Sequence, residues 1–130
     1  MAFLHTGDLT PQEIITKFSY FQVCSHFYHL TTTSYEEHKS LGALYEGIND
    51  LKDDIIETLY GYVARIPSIS LNYNMVYKGT ASSVQLTQEL RDFATQGEKL
   101  SNTKGWTDLS NKFQELKGLA SHTLYLLTLK

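Results

Sequence analysis

One segment of the chain, from Ser34 to Tyr62, combines residue types that bind metal ions with the spacing of an α-helix. On such a helix, positions three or four residues apart form one row, here positions 38, 42, 46, 49, 53 and 57. The row contains His38, Glu46, Asp53 and Glu57. Imidazole and carboxylate groups suit iron, manganese and zinc as ligands. We therefore treat this row as a candidate metal-binding face.

The length of the helix restricts how these ligands can meet. His38 and Asp53 are fifteen residues apart, which corresponds to about 22 Å along an α-helix, so one copy cannot place both on one ion. Two copies packed antiparallel about a two-fold axis near Glu46 and Gly47 would set His38 of one chain opposite Asp53 and Glu57 of the other. The spacing thus predicts a metal site shared between two subunits.

Composition predicts a single globular domain over residues 1–130. A chain of 130 residues, 42% of them hydrophobic, can bury a core. Its formal charge of −3 argues against binding to nucleic acid, which requires a basic surface. The sequence shows neither a signal-peptide pattern nor an apolar run long enough to span a membrane. We therefore expect a soluble, intracellular protein with neither nucleic acid nor membrane as a partner.

Nucleophilic chemistry has little support in the sequence. Cys24 is the single cysteine and lies in an aromatic-rich helical pattern, so we expect a small buried apolar residue and no disulfide framework. The sequence also lacks a nucleophile motif and a glycine-rich phosphate loop. The metal-binding row remains the main chemical feature.

Capping signals predict the first two helices. Thr10, with Pro11 and Glu13, supplies an N-cap, a first-turn proline and a capping box for a helix that runs to about Leu30. Ser34 and Glu37 form a second capping box, and the second helix is expected to end near Gly61. The loop between them is short, so the two helices should be antiparallel neighbours.

Two further helices follow a long connection. Residues 63–82 show no helical period and predict a crossover, after which Ser82 and Gln85 cap a third helix. A turn at residues 101–105 precedes a fourth helix from about Trp106 to Leu129. The connection between helices two and three is long, whereas the other two connections are short. This pattern implies that helices two and three run in the same direction. The fold class predicted is all-α, a ferritin-like four-helix bundle with a long crossover between helices two and three.

The chain resembles the Dps-type mini-ferritins and the short ferritin-like proteins encoded by bacteriophages. The first helix ends in His29 and Leu30, where mini-ferritins have a histidine-tryptophan pair, and the second helix carries His38 and then Asp53 with Glu57. The resemblance implies a homo-oligomer, up to a closed shell of subunits, that oxidises iron(II) at a site between two second helices. It also implies a location in the bacterial host cytoplasm or in a virion.

Several positions depart from the mini-ferritin pattern. Gly42 stands where the family has a carboxylate close to the second histidine, which leaves Glu46 or Glu37 as alternatives. Either His29 or His26 could supply the imidazole of the first helix. The lysine-rich N-terminal arm that some members use for DNA is missing.

Two functions from different classes therefore remain open. The first is a mini-ferritin-like oligomer, a dimer at minimum, that binds iron, or manganese or zinc, and has ferroxidase activity. The second is a bacteriophage virion-associated or interaction bundle, bound to virion proteins and without metal chemistry. The fold alone does not choose between them.

Overall fold

The computed structural model describes residues 9–66, 68 and 82–130. Within these residues the chain forms α1 (Pro11–Thr31), α2 (Tyr35–Leu59), α3 (Ser83–Lys104) and α4 (Thr107–Leu127), and no strand. The all-α prediction is confirmed.

The predicted N-cap residues of α1, α2 and α3 all accept the expected N–H, but only the capping box of α1 is complete. At α1, Thr10 Oγ1 accepts the Glu13 N–H at 3.1 Å, and the Glu13 carboxylate accepts the Thr10 N–H at 3.2 Å. At α2, Ser34 Oγ accepts the Glu37 N–H at 3.2 Å, but the Ser34 N–H donates to Thr32 Oγ1 instead of to Glu37. The second capping box is therefore only half formed, because the Glu37 carboxylate has other partners.

The turn predicted at residues 101–105 is wrong, since α3 continues through Lys104. Gly105 ends the helix in the left-handed conformation, with φ of 75°. The Trp106 N–H then bonds to the Ser101 carbonyl at 2.8 Å, and the Gly105 N–H bonds to the Asn102 carbonyl at 3.1 Å. These two bonds form a Schellman motif, in which one glycine is enough to reverse the chain. Polar residues that resemble a turn thus complete the last turn of a helix.

Contacts at the two ends of the bundle fix the helix directions. Ser83 Oγ donates to Glu37 Oε2 at 2.6 Å, which places the starts of α2 and α3 at one end. At the other end, Tyr62 follows α2, and its hydroxyl donates to Asp108 Oδ1 at 2.5 Å in the first turn of α4. Helices α2 and α3 therefore run in the same direction, as predicted. The connection between them joins opposite ends of the bundle, and most of it lies outside the described residues.

The core lies between α1, α2, α3 and α4, with α1 and α4 each packed against both α2 and α3. Phe93 is central, with ring centroids 5.1 Å from Phe18 and 6.0 Å from Phe113 in edge-to-face contacts. The core side of α1 includes Ile14, Phe18, Phe21, Ser25 and Tyr28, which are three or four residues apart and all buried. Among the described helices, none is both long and apolar enough to cross a membrane.

Candidate functional site

Two of the predicted ligands, His29 and His38, meet where α1 turns into α2. His29 Nδ1 lies 2.6 Å from the backbone carbonyl oxygen of His38, and His38 Nδ1 lies 2.8 Å from the backbone carbonyl oxygen of His29. The two imidazole rings stack with their centroids 3.9 Å apart and an interplanar angle of 16°. We call these two residues the histidine pair.

The hydrogen bonds of the histidine pair determine which ring nitrogen is free. A carbonyl oxygen can only accept a hydrogen bond, so Nδ1 of both His29 and His38 must be the donor. In the neutral ring, Nε2 then keeps its lone pair. Proteins commonly orient a metal-ligating histidine in this way, with the other ring N–H bonded to a carbonyl or a carboxylate. The arrangement leaves two imidazole nitrogens able to act as ligands.

Gly42 makes room for the histidine pair. A Cβ atom at position 42 would lie 2.9 Å from His29 Cε1 and 3.0 Å from His29 Nδ1. Such distances are shorter than carbon and nitrogen atoms accept without displacement. The departure from the mini-ferritin pattern at Gly42 therefore has a structural explanation, because the His29 ring occupies the space that a side chain there would need.

His26 lies beside the histidine pair but is not part of it. Its ring stacks on Tyr45 with centroids 4.4 Å apart and lies 6.1 Å from the His29 ring. Of the two alternatives for an imidazole from the first helix, His29 is the one that contacts His38. The stacking of Tyr45 on His26 was not predicted from the sequence. The signal was the pairing of a histidine and a tyrosine on facing helices, which requires the register of the two helices.

A groove between α1 and α2 extends from this point toward the far end of α2. Its volume is about 440 Å³, and its lining residues are Ser19, Gln22, Val23, His26, Phe27, Tyr45 and Lys52. Lys52 Nζ donates to Gln22 Oε1 at 2.9 Å and joins the two helices across the groove. We call this feature the α1–α2 groove.

The carboxylates of the row are solvent-exposed on α2. Glu46, Asp53 and Glu57 are all exposed, and none of them forms an ion pair with another described residue. Their neighbour Asp54 differs, because its carboxylate binds Lys112 of α4 at 2.8 Å. In one copy, Asp53 remains about 22 Å along the helix from His38, as the helical rise requires. Within the residues that the structure describes, a single chain brings together no group of three histidine, cysteine, aspartate or glutamate residues suited to a metal ion.

Glu37 is one of the two alternatives for the carboxylate missing at Gly42, but its carboxylate binds other side chains. Its Oε1 accepts from Thr32 Oγ1 at 2.5 Å, and its Oε2 accepts from Ser83 Oγ at 2.6 Å and from Lys130 Nζ at 2.5 Å. Burial raises the pKa of Glu37, but these three hydrogen bonds outweigh it and lower the pKa below the ordinary range. Glu37 therefore ties α2 to α3 and to the end of α4, and only Glu46 is left as the alternative.

Comparison with known proteins places the chain in one family. Neither a curated protein nor a solved structure matches it. Residues 29–127 match the family described as "Family of unknown function (DUF5856)", a stretch that starts at the histidine pair and ends with α4. Because this match covers most of the sequence, the chain belongs to the DUF5856 family.

Proposed function

We propose that this chain is a mini-ferritin-like oligomer that binds a divalent transition metal at a site shared between two copies. One copy contributes His29 and His38, and the second copy contributes Asp53 and Glu57. Iron(II) is the metal that the mini-ferritin resemblance implies, with manganese and zinc as alternatives for the same ligands. His26 lies beside His29, whereas Glu46 lies between the two groups of proposed ligands on α2, near the proposed two-fold axis.

The observation that carries this proposal is the reciprocal bonding of the histidine pair. Both Nδ1 atoms are occupied by backbone carbonyls, so both Nε2 atoms keep a lone pair that a metal can bind. Backbone acceptors also fix the ring orientation, which reduces the conformational entropy lost when a metal binds. An ordinary solvated histidine would not need either constraint.

The ligand types fit the proposed metal. Two imidazoles with one carboxylate form the ligand set of many non-haem iron(II) sites, and open coordination positions are part of that geometry. Iron(II) held in such a set can be oxidised by dioxygen or peroxide, which is the chemistry that the metal would supply. The chain supplies the orientation of the imidazoles through its backbone carbonyls and the space for the His29 ring through Gly42.

The position of the carboxylates supports a shared site. Glu57 lies in the last turn of α2, which has no basic residue, and Asp53 lies one turn earlier. Negative side chains near a helix C-terminus are unfavourable because the helix dipole is negative there. A bound cation would relieve this repulsion, and the proposed site places a metal ion beside these two carboxylates.

Iron(II) titration of the metal-free protein in air tests the proposal. Bound iron per chain and oxygen consumption would be followed for the wild type, for His38→Ala and for His122→Ala, an exposed histidine on α4 that serves as the matched control. We expect saturable binding and accelerated oxidation in the wild type and in His122→Ala, and the loss of both in His38→Ala. Equal behaviour of all three proteins would contradict the proposal.

A second candidate is the virion-associated or interaction bundle without metal chemistry. The observation that favours it is a line of exposed apolar side chains on α1, at Val23, Phe27 and Leu30. Such a surface suits a protein partner and needs no metal. The titration separates the two candidates, because the interaction bundle predicts no saturable binding of iron in any of the three proteins.

A further inference from the structure

Four rings stack in series where α1 packs against α2. The series begins with the histidine pair, His38 and His29, whose ring centroids lie 3.9 Å apart. The His26 ring lies 6.1 Å from the His29 ring, and the Tyr45 ring lies 4.4 Å from the His26 ring. The planes of successive rings differ by 16°, 16° and 21°. We call these four residues the ring column.

Each of the two helices contributes two rings to the ring column. His38 and Tyr45 lie seven residues, or about two turns, apart on α2, and His26 and His29 lie three residues apart on α1. Gly42 lies between His38 and Tyr45 on the same side of α2. A side chain at that position would collide with the His29 ring. The sequence of α2 thus supplies a ring, a gap and a second ring, and the gap admits a ring from α1.

The ring column lies outside the hydrophobic core. The core of the described helices includes none of its four members. His26 and Tyr45 are half-buried and line the α1–α2 groove, so the filling of the core does not account for them. Stacked aromatic rings stabilise each other beyond the area that they bury, and they do so only in certain relative orientations. Each ring of the column therefore restricts the orientation of the next.

We propose that His26 and Tyr45 are positioning residues for the histidine pair, which orient the His29 ring for metal binding and do not bind the metal themselves. The role in metal binding rests on the proposed function, whereas the effect on the His29 ring does not. The backbone carbonyl of His38 holds the His29 ring at Nδ1 alone, and a ring held at one atom can still tilt. Stacking on His26 restricts this tilt, and Tyr45 holds His26 in turn. An oriented ligand loses less conformational entropy when a metal binds.

NMR spectra of the metal-free protein test the orientation of the His29 ring without any metal. Tyr45→Leu removes the last ring of the column, and we expect it to weaken the nuclear Overhauser contacts between the His29 and His38 rings. Tyr45→Phe keeps an aromatic face and should preserve these contacts. The matched control is Tyr125→Leu, since Tyr125 also lies near a histidine, 6.4 Å from the His122 ring on α4. This control should leave the contacts unchanged.

Iron(II) affinity, measured without oxygen, separates a positioning residue from a ligand. We expect His26→Leu and Tyr45→Leu each to raise the dissociation constant about two- to tenfold. His26→Phe and Tyr45→Phe should bind as the wild type does, because phenylalanine keeps the stacking face and has no ring nitrogen. If His26 were a ligand, His26→Phe would weaken binding as much as His26→Leu. That result overturns the inference, and so does wild-type affinity in both leucine variants.

The two measurements also distinguish this inference from the proposed function. A wild type that binds no iron, but whose contacts between the His29 and His38 rings weaken in Tyr45→Leu, supports the orienting role of the ring column and refutes the proposed function. Iron binding that requires His38 but is equal in the leucine and phenylalanine variants does the reverse. Circular dichroism melting curves establish that each variant is folded, and His26→Leu with His26→Phe provides a second pair for the NMR test if Tyr45→Leu unfolds.

Discussion

His29 and His38 donate hydrogen bonds to each other's backbone carbonyl groups, at 2.6 Å and 2.8 Å, and thereby join the end of α1 to the start of α2. Each ring is held by main-chain atoms of the neighbouring helix, so its orientation depends on the fold and not on a third side chain. The same two bonds leave both Nε2 atoms free. The same two hydrogen bonds therefore join the helices and orient two imidazole rings.

The tautomers of the histidine pair can be observed directly. We predict that the neutral rings of His29 and His38 both carry their proton on Nδ1, because the carbonyl acceptors require a donor there. Long-range proton–nitrogen NMR spectra of ¹⁵N-histidine-labelled protein distinguish the two ring nitrogens. Assignment by His29→Gln and His38→Gln identifies the signals. Protonation on Nε2 alone in either ring would contradict the hydrogen-bond assignment.

Replacing a glycine inside a helix by alanine usually stabilises a protein, but at Gly42 we expect the replacement to lower the free energy of unfolding. Gly118→Ala on α4 meets nothing within 4 Å and should stabilise the protein by about 0.5–1 kcal/mol. Gly42→Ala would place its Cβ 2.9 Å from His29 Cε1, so we expect it to be about 1–2 kcal/mol less stable than Gly118→Ala. Urea unfolding of both variants measures this difference. Equal effects would show that the His29 ring moves aside freely.

Much of the fold was predictable because it depends on local signals. Thr10, Ser34 and Ser82 each cap the helix that the sequence assigned to them, and each side chain accepts a backbone N–H three residues on. The end of α3 was not predictable from residues 101–104, since polar residues there suit a turn and a last helical turn equally well. Gly105 decided between them through its left-handed conformation.

The candidate site was only partly predictable for a related reason. His38 lay in the metal-binding row, but its contact with His29 depends on how α1 and α2 align, which no periodicity encodes. The role of Gly42 was equally hidden, because an absent side chain matters only when a neighbour fills the space. Glu37 was one of two predicted alternatives for a carboxylate ligand, but in the folded chain it binds Ser83 and Lys130, which are distant in sequence.

The Glu37 network should make stability depend on pH in the acid range. Because the folded-state pKa of Glu37 is lowered, its contribution is fully present above the ordinary glutamate pKa of about 4.3 and is lost as the pH falls through the lower folded-state pKa. We expect Glu37→Gln to reduce the free energy of unfolding by about 1–3 kcal/mol at pH 7. The difference in the free energy of unfolding between Glu37→Gln and the wild type should decrease below about pH 4. Urea unfolding across this range measures it.

A matched variant for this experiment is Glu115→Gln, an exposed glutamate on α4. It should change the free energy of unfolding by less than about 0.5 kcal/mol at pH 7. A Glu37→Gln protein as stable as Glu115→Gln at pH 7 would mean that the hydrogen bonds to Thr32, Ser83 and Lys130 add nothing to stability.

The thiol of Cys24 should be unreactive toward alkylating reagents in the folded protein. Burial raises the pKa of its thiol to about 11, and only 7% of the residue is exposed. Since the thiolate is the reactive form, we predict negligible labelling by iodoacetamide at pH 7.5 and rapid labelling in denaturant. Mass spectrometry of the intact protein gives the extent of labelling. Labelling of the native protein at the rate of the unfolded chain would show that α1 opens readily around Cys24.

The most direct test of the central claim, a metal site shared between two copies, is complementation between His38→Ala and Asp53→Ala. If His38 of one copy and Asp53 of the other bind the same ion, a mixed dimer retains one complete site, whereas each variant alone has none. The two proteins would be mixed, allowed to exchange subunits and titrated with iron(II). We predict that neither variant alone binds iron and that the mixture recovers binding. Iron binding that persists in both separate variants would contradict the claim.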